Sequence, residues 1–591
     1  MTLVRESGGR DLTQLRVLVA LACLLMSVAG ANAQPATTQA APAAAITGLF
    51  PHPGAKGVCP DTRLRITFSA APVIGTGAIK IYDASNDSVV DSIDVAAPKL
   101  VRTIGTLPNF SYHPVIIDGN EAVLWLADHA LSYGKNYYVK IDPGAFKNSN
   151  GNAVALIYQA SEWRFGTKSA PPVAGATRLI VAADGSGDFA SVQGALDYLP
   201  QGNTTATTIF IRNGLYNEII CFLGKNNVTL LGEDRQKTII AYPNNDRFNN
   251  NAGGNPFATS TSAPSAGTPT TAPAHNGGAI YRRGLLLGHH VKGLVIANLT
   301  LHNTTPQGGS QAEAIILNGA TDAHAILTDV DLYSFQDTLQ INGQAYLSNC
   351  FIQGDVDFMW GTGPVFFDHC HAKSVRSNAY YTQIRNPGTN HGFIYKDCIF
   401  DGAPGISGGF LSRIVPARFP FSEVVLLNCV ISNAVGPVAW RIQRTTQAPN
   451  IHFWEFNSHS ADDKPVDVSK RMPLSKQLKL PDDKELIDNY SDPTFVLGGK
   501  WTPALCPIIA SQPESVETSA GQMVTFKVNA VGVPAVSYQW EKNGADIAGA
   551  TEAIYEIPSA SSKDAGKYSV MISNSAGKVI SDAAKLSVGG S

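Results

Sequence analysis

The sequence predicts an all-β protein, a β-solenoid flanked by two small β-sandwiches. Three observations carry that prediction. A four-residue pattern recurs through the middle of the chain at steps of 20 to 31 residues. Short segments of alternating polarity, bounded by turn residues, fill both flanks. The composition, with 54 Gly, 35 Pro and only 15% charged residues, favours turn-rich strands over helical bundles. At 591 residues the chain exceeds what one ordinary core holds, so several domains are expected. Lys+Arg 44 against Asp+Glu 47 leaves a net charge of -3, without the basic footprint of a nucleic-acid binder.

The first element, residues 1–33, reads as an export signal. Arg5, Arg10 and Arg16 precede the apolar run VLVALACLLMSVAG, and Ala31-Asn32-Ala33 forms a small-residue cleavage pattern. The run is too short to span a bilayer, which takes about 20 residues. A secreted or periplasmic product follows, with no membrane span after signal removal. Cys23 leaves with the signal, and seven cysteines remain, so at least one is unpaired or bridges to another molecule.

Residues 34–45, QPATTQAAPAAA, form a linker. From 46 to 168, segments such as LRITFSA, AIKIYDA, AVLWLA and YYVKID predict an antiparallel sandwich, similar to the bacterial immunoglobulin-like domain of exported proteins. It carries no chemical constellation, so a spacer or binding role is the default. Residues 176–505 form the large domain. Its interruption NNDRFNNNAGGNPFATSTSAPSAGTPTTAPAHNGG reads as a long surface loop. Residues 506–591 predict the second sandwich. Trp540, Asp564 and Tyr568 resemble an immunoglobulin domain with its tyrosine corner, and Val528 and Val570 stand where a disulfide would sit.

The recurring pattern is a polar residue, a small apolar one, any residue, then an apolar one. It reads Asn298-Leu299-Thr300-Leu301, Asp329-Val330-Asp331-Leu332, Asn349-Cys350-Phe351-Ile352, His369-Cys370-His371-Ala372, Asp397-Cys398-Ile399-Phe400 and Asn428-Cys429-Val430-Ile431. The second residues are 31, 20, 20, 28 and 31 apart. Stacked coils would bring equivalent residues about 4.8 Å apart. Cys350, Cys370, Cys398 and Cys429 then form one inward column. In-register parallel strands suit a disulfide poorly, and these are read as free, structural thiols.

Asp337 follows Val330 by seven residues, and Asp357 follows Cys350 by seven, so the two carboxylates hold the same place on successive coils. Adjacent carboxylates do not both ionise cheaply. One pKa is expected to rise while the other stays low, supplying an acid and a nucleophile or base. The bland reading is that both are turn aspartates held by backbone amides.

These residues also resemble the pectin methylesterases, carbohydrate esterases on a right-handed parallel β-helix. The resemblance starts at VAADGSGDFASVQGALDYLP and covers about 320 residues. GLYNE, QAEAI, QDTL and VDFMWG match the family's blocks in order, and Arg413 in FLSRIVPARFP fits its arginine block. The resemblance implies Asp357 as nucleophile on a galacturonate methyl ester, Asp337 as acid and then base, Gln311 and Gln336 as oxyanion donors, and Arg413 as the partner of Asp357. It implies pectin (homogalacturonan) as the partner and no cofactor or metal. Trp360, as a partly exposed indole, and Trp440 are the candidate sugar-binding aromatics, each with core packing as its duller counterpart. Tyr216 and Glu218 are read as structural. The family's tryptophan two residues after the arginine is Val415 here, which bears on sugar affinity more than on chemistry.

Other classes compete. A polygalacturonase would need Asp-Asp and His-Gly blocks, and a pectate lyase an acidic calcium cluster; neither is found. A non-catalytic exported carbohydrate-binding protein and an esterase for another ester remain as alternatives. A monomer is the default.

Overall fold

The structure is a computed structural model that describes residues 45–154, 161–249, 282–319, 323–444 and 448–589. The expected export signal, nearly all of the linker and most of the polar loop (250–281) lie outside the described residues.

The large domain is a parallel β-helix, as the repeat predicts. The register of its main ladder reproduces the predicted steps: Leu299 pairs with Val330, Asp331 with Phe351, Phe351 with His371, His371 with Ile399 and Ile399 with Val430. The polar first residue of each repeat is a corner. Asn298, Asp329, Asn349, His369, Asp397 and Asn428 all have φ between 50° and 58°. In that left-handed region Asn, Asp and His are enriched and branched residues are strained, which is why the sequence repeats there. Corner side chains also stack: Asn349 Nδ2 donates to Asp329 Oδ1, and Asn457 Nδ2 to Asn428 Oδ1 at 3.1 Å.

Behind each corner the second residue points inward. Leu299, Val330, Cys350, Cys370, Cys398 and Cys429 are at most 3% exposed. The four cysteines are free, as are Cys59, Cys221 and the exposed Cys506. Cys370 Sγ lies 3.5 Å from Leu347 O, and Cys398 Sγ the same distance from Phe367 O, so each thiol acts as a small apolar filler with a weak donor.

A second parallel sheet runs along another side of the helix. Among the described residues its order is Ile220–Leu223, Leu286–His289, Ile315–Asn318, Leu339–Ile341, Val356–Gly361, Tyr380–Ile384, Phe410–Ile414 and Trp440–Ile442. Its strands are short because each coil must turn again. Gly361 marks one such turn: φ is 153°, and a Cβ there would lie 1.9 Å from Ile341 O.

The N-terminal sandwich packs on the β-helix as well as around a core of its own. Its own core surrounds Trp163, whose indole N–H donates to Pro51 O at 2.8 Å. Its hairpin Leu100–Ile104 and Leu107–Tyr112, with Trp125, packs into the core of the β-helix. Leu107, Phe110 and Trp125 are at most 1% exposed, each burial worth about 1.5–3 kcal/mol or more. Polar contacts fix the same joint. Asp61 accepts from Ser191 N at 2.8 Å and Ser191 Oγ at 2.7 Å, and Asn249 Oδ1 accepts from Ser111 N at 2.6 Å.

The C-terminal sandwich encloses Trp540, Tyr568, Val528 and Val570. Tyr568 Oη donates to Asp564 O at 2.7 Å, the expected corner. Val531 and Ala510 of this segment pack on Phe210, Leu231 and Ala297 outside the β-helix. The helices Lys484–Ser491 and Pro493–Val496 cover a neighbouring stretch through Tyr490, Val496 and Leu497. No helix among the described residues is long and apolar enough to cross a membrane.

Candidate active site

The second sheet brings chemistry-bearing side chains into one line. Gln336 bridges Val356, and Leu339 pairs with Met359, so Asp337 and Asp357 share a register position on adjacent coils. Both lie at the corner entering their strands with left-handed φ, 67° and 48°. Asp tolerates this conformation better than most residues, and such backbone strain concentrates at functional sites. The carboxylates sit in a closed environment, 7% and 5% exposed.

The surroundings of the two acids differ. Asp357 Oδ1 accepts from Arg413 Nε at 2.8 Å, and Oδ2 accepts from Arg413 Nη2 and from Gln383 Nε2 at 2.9 Å. The guanidinium of Arg413 lies 4.1 Å from the Tyr380 ring, and Arg441 Nη1 donates to Tyr380 Oη. Arg385 holds Gln383 in turn, with Nε 2.8 Å from Gln383 Oε1. A side-on, two-bond arginine contact fixes both the charge and the direction of the carboxylate.

Asp337 pairs with Arg283, a cation it shares, and the charge of Arg385 also favours its ionised form. Arg283 Nη2 lies 3.1 Å from Asp337 Oδ2 and 2.8 Å from Glu313 Oε1, while Arg283 Nε reaches both Glu313 oxygens at 3.0 Å. Glu313 is itself in register: Ile315 pairs with Leu339, which sets Glu313 opposite Asp337. The column therefore holds three carboxylates, Glu313, Asp337 and Asp357, and Asp337 is the middle one.

Position in the column decides the titration. Burial, then the charge of Glu313, pushes Asp337 well above the usual carboxylate range against the pull of Arg283; Asp357 adds a smaller push. Burial also raises Asp357, opposed by its hydrogen bonds and charge attraction to Arg413 and by Arg385. Both acids are thus raised, Asp337 well above the usual range, so the expected low partner is not found; burial and Glu313 act on Asp337 more than repulsion by Asp357 does.

Gln311 and Gln336 border the same corner. Ala312 N donates to Gln336 O at 3.1 Å, and Asp246 N to Gln311 O at 3.0 Å. Gln311 Oε1 accepts from Ser310 Oγ at 3.1 Å, and both side chains are half-buried.

The two tryptophans depart from expectation. Trp440 is a core residue, 1% exposed, stacked on Phe453 at 4.7 Å with its indole N–H 3.0 Å from Glu455 Oε1. It has no face to offer a sugar, because its strand turns this position inward beside Ser412. Trp360 is 4% exposed, with the Arg385 guanidinium 4.3 Å above its ring, instead of a partly exposed indole. Half-buried Phe419 lies 5.3 Å from the same guanidinium, and its backbone N–H donates to Val415 O at 3.1 Å. Tyr216 and Glu218 are structural as read: Tyr216 Oη donates to Arg212 O, and Glu218 accepts from Val192 N and Gln193 N where a helix starts.

Sequence reasoning missed Arg283, Glu313, Gln383 and Arg385. Glu313 lies inside the block QAEAI, and its distance to Asp337 equals the strand register. Among the described residues, Asp368, His369 and Asp397 bring ligand atoms within 4.8 Å of one another. They belong to the corner ladder on the main sheet, and Asp368 already takes the Tyr346 hydroxyl at 2.5 Å.

Comparison with known proteins matches three parts of the chain. The pectinesterase family model matches residues 178–271 and 275–498, more than half of the sequence. A bacterial Ig-like domain model matches 39–167, and an immunoglobulin domain model 507–574. Pectinesterase 31 of Arabidopsis thaliana is 28% identical over 269 residues, 45% of this chain and 77% of that protein. Putative pectinesterase 10 of the same plant is 26% identical over 60% of this chain and 93% of its own length. Among solved structures, the pectin methylesterase from carrot matches at TM-score 0.44 and 21% identity, over 56% of this chain and 96% of that one. The match covers the β-helix and runs through the carboxylate column with its arginines, and the chain belongs to the pectinesterase family of carboxylic ester hydrolases.

Proposed function

We propose that the protein hydrolyses galacturonate methyl esters in pectin, releasing methanol and de-esterified polymer. The observation that carries this reading is the unequal pair: Asp357 held by two bonds from Arg413, and Asp337 placed between two other carboxylates. Asp357 is the nucleophile and attacks the ester carbonyl carbon. Asp337, protonated, gives its proton to the departing methoxy oxygen, and methanol leaves. The resulting acyl-enzyme is opened by water, whose proton returns to Asp337 while Asp357 is released as carboxylate. The side-chain amides of Gln311 and Gln336 stabilise the oxyanion in both steps, a task worth roughly 3 kcal/mol per donor.

The same proposal includes the three-domain division at 46–168, 176–505 and 506–591, export directed by residues 1–33 to a secreted or periplasmic location, action as a monomer, and no cofactor or metal. Val415 and the covered Trp360 favour a second reading, an esterase for another ester with a different wall around the acyl group. One experiment separates the readings. Methanol release from highly methylated pectin should exceed turnover of small acyl esters, generate no new reducing ends, and vanish in Asp357→Ala. Faster turnover of the small esters would support the second reading, and unchanged methanol release in Asp357→Ala would overturn both.

A further inference from the structure

A cavity of about 640 Å³ lies where the N-terminal sandwich meets the β-helix, and it shares no residue with the carboxylate column. Arg63, Arg102, Trp125, Asp128, Asp197 and Lys225 are among its lining residues. Most of these charges are spoken for. Arg102 pairs with Asp128 at 2.5 Å and reaches Leu126 O at 3.3 Å, and Lys225 Nζ donates to Leu199 O.

Arg63 is different. Its guanidinium lies 4.0 Å from the centroid of the Trp125 ring, and it makes no hydrogen bond or ion pair with the described residues. The nearby carboxylates are occupied: Asp61 holds Ser191, and Glu218 holds Val192 N and Gln193 N. Burial, then the charge of Arg102, pulls the Arg63 guanidinium down to about 10 against the attraction of Glu218 and Asp61. The wall is rich in donors as well: Nε of Arg63, Nε of Arg102 and Nε1 of Trp125 are buried without an acceptor. Glu218 and Asp61 balance the charge of Arg63 without bonding to it, so its buried donors still lack an oxygen, and a buried donor without an acceptor costs stability.

We propose that this cavity binds a uronate, a hydroxylated sugar ring whose carboxylate pairs with Arg63. A planar guanidinium takes a carboxylate through two parallel bonds. Exposed Asp197, which takes one bond from Gln193, and half-buried Asp128, which pairs with Arg102, keep carboxylate oxygens on the lining as acceptors for ring hydroxyls, and they oppose a compact dianion such as phosphate. The volume falls in the range of small-ligand sites. A uronate arises as the product of the activity proposed above, and only the biological source of the ligand rests on that reading. The bound sugar would hold a de-esterified chain end on the sandwich beside the enzyme.

The test uses the full chain carrying Asp357→Ala, titrated with free galacturonate, galactose and inorganic phosphate by calorimetry and by thermal shift. Galacturonate should bind saturably and raise Tm. Arg63→Gln should weaken it about tenfold or more, Arg63→Lys less, and galactose and phosphate should each bind at least about tenfold more weakly. If Arg63→Gln does not fold, Asp197→Ala at the exposed rim should still weaken galacturonate severalfold. The proposal fails if no saturable binding is seen, if phosphate binds as tightly, or if Arg63→Gln and Asp197→Ala leave galacturonate binding unchanged. Methanol release by the native chain, read separately, fails or succeeds independently of these titrations.

Discussion

Glu313 stands one coil before Asp337 at the same register position, and the two carboxylates share the guanidinium of Arg283. This relationship ranks the acids. The middle member of the column feels an anion on either side and shares its bonded arginine. The outer member, Asp357, has a whole arginine.

The first prediction follows from that ranking. Asp337 acts as an acid only while it carries its proton, so activity falls as pH rises through its pKa. Neutralising Glu313 removes one of the causes that raise that pKa and leaves Arg283 to Asp337 and Asp246. Glu313→Gln should therefore move the alkaline limb of the kcat/KM profile to lower pH, with kcat on the acid side little changed. A uniform loss of kcat at every pH would show that Glu313 only supports the fold.

Asp357 gives the second. Arg413→Ala leaves a buried carboxylate without its main partner, and burial then favours the protonated, non-nucleophilic form. A fall in kcat of about 10²-fold or more is expected, with KM less affected, and Arg413→Lys should recover only part of it because the two-bond fork is lost. Gln383→Leu removes the weaker of the two supports and should cost about tenfold in kcat. Equal effects of Arg413→Ala and Gln383→Leu would contradict this order.

Much of this was legible before any coordinates. The repeat could be read because its first position must adopt left-handed φ, which selects Asn, Asp and His, while its second position faces a narrow interior that selects small apolar side chains. Once the steps were known, the alignment of Asp337 with Asp357 followed from counting. Gln383 escaped the count, and Arg413 was reached only through the family resemblance, because the intervening coils carry loops of unequal length, so that Thr382 and Ser412 pair at a step of 30 residues where Leu339 and Met359 pair at 20. Arg283 lies at the far end of the polar loop, outside every repeat. The facing direction of Trp440 was illegible for another reason: its partner Glu455 is a buried carboxylate, and the sequence alone does not show which polar residues a coil buries.

Stability supplies the third prediction. The folded-state pKa of Asp337 is raised above its unfolded value. A carboxyl of this kind contributes stability that is fully present below the unfolded pKa, about 4, and is lost as pH rises through the folded value. Asp337→Asn cannot ionise and avoids that loss. Its Tm should match the native chain in acid and exceed it progressively toward alkaline pH, while methanol release disappears. A Tm below native at alkaline pH would mean that the Arg283 contact outweighs the cost of burying the charge.

The last prediction separates a core tryptophan from a sugar-binding one. Trp440 Nε1 is one of several donors on the fully buried Glu455, together with Arg471 at 2.9 Å, Ser458 at 3.0 Å and Gln477 at 3.2 Å. Trp440→Phe keeps an aromatic ring against Phe453 but removes that donor and opens a small cavity. Together these should destabilise the β-helix by about 1–3 kcal/mol, read as a lower Tm. Because the ring faces inward, KM for pectin should stay near the native value. A raised KM with unchanged Tm would return Trp440 to the substrate wall and would require this coil to open during binding.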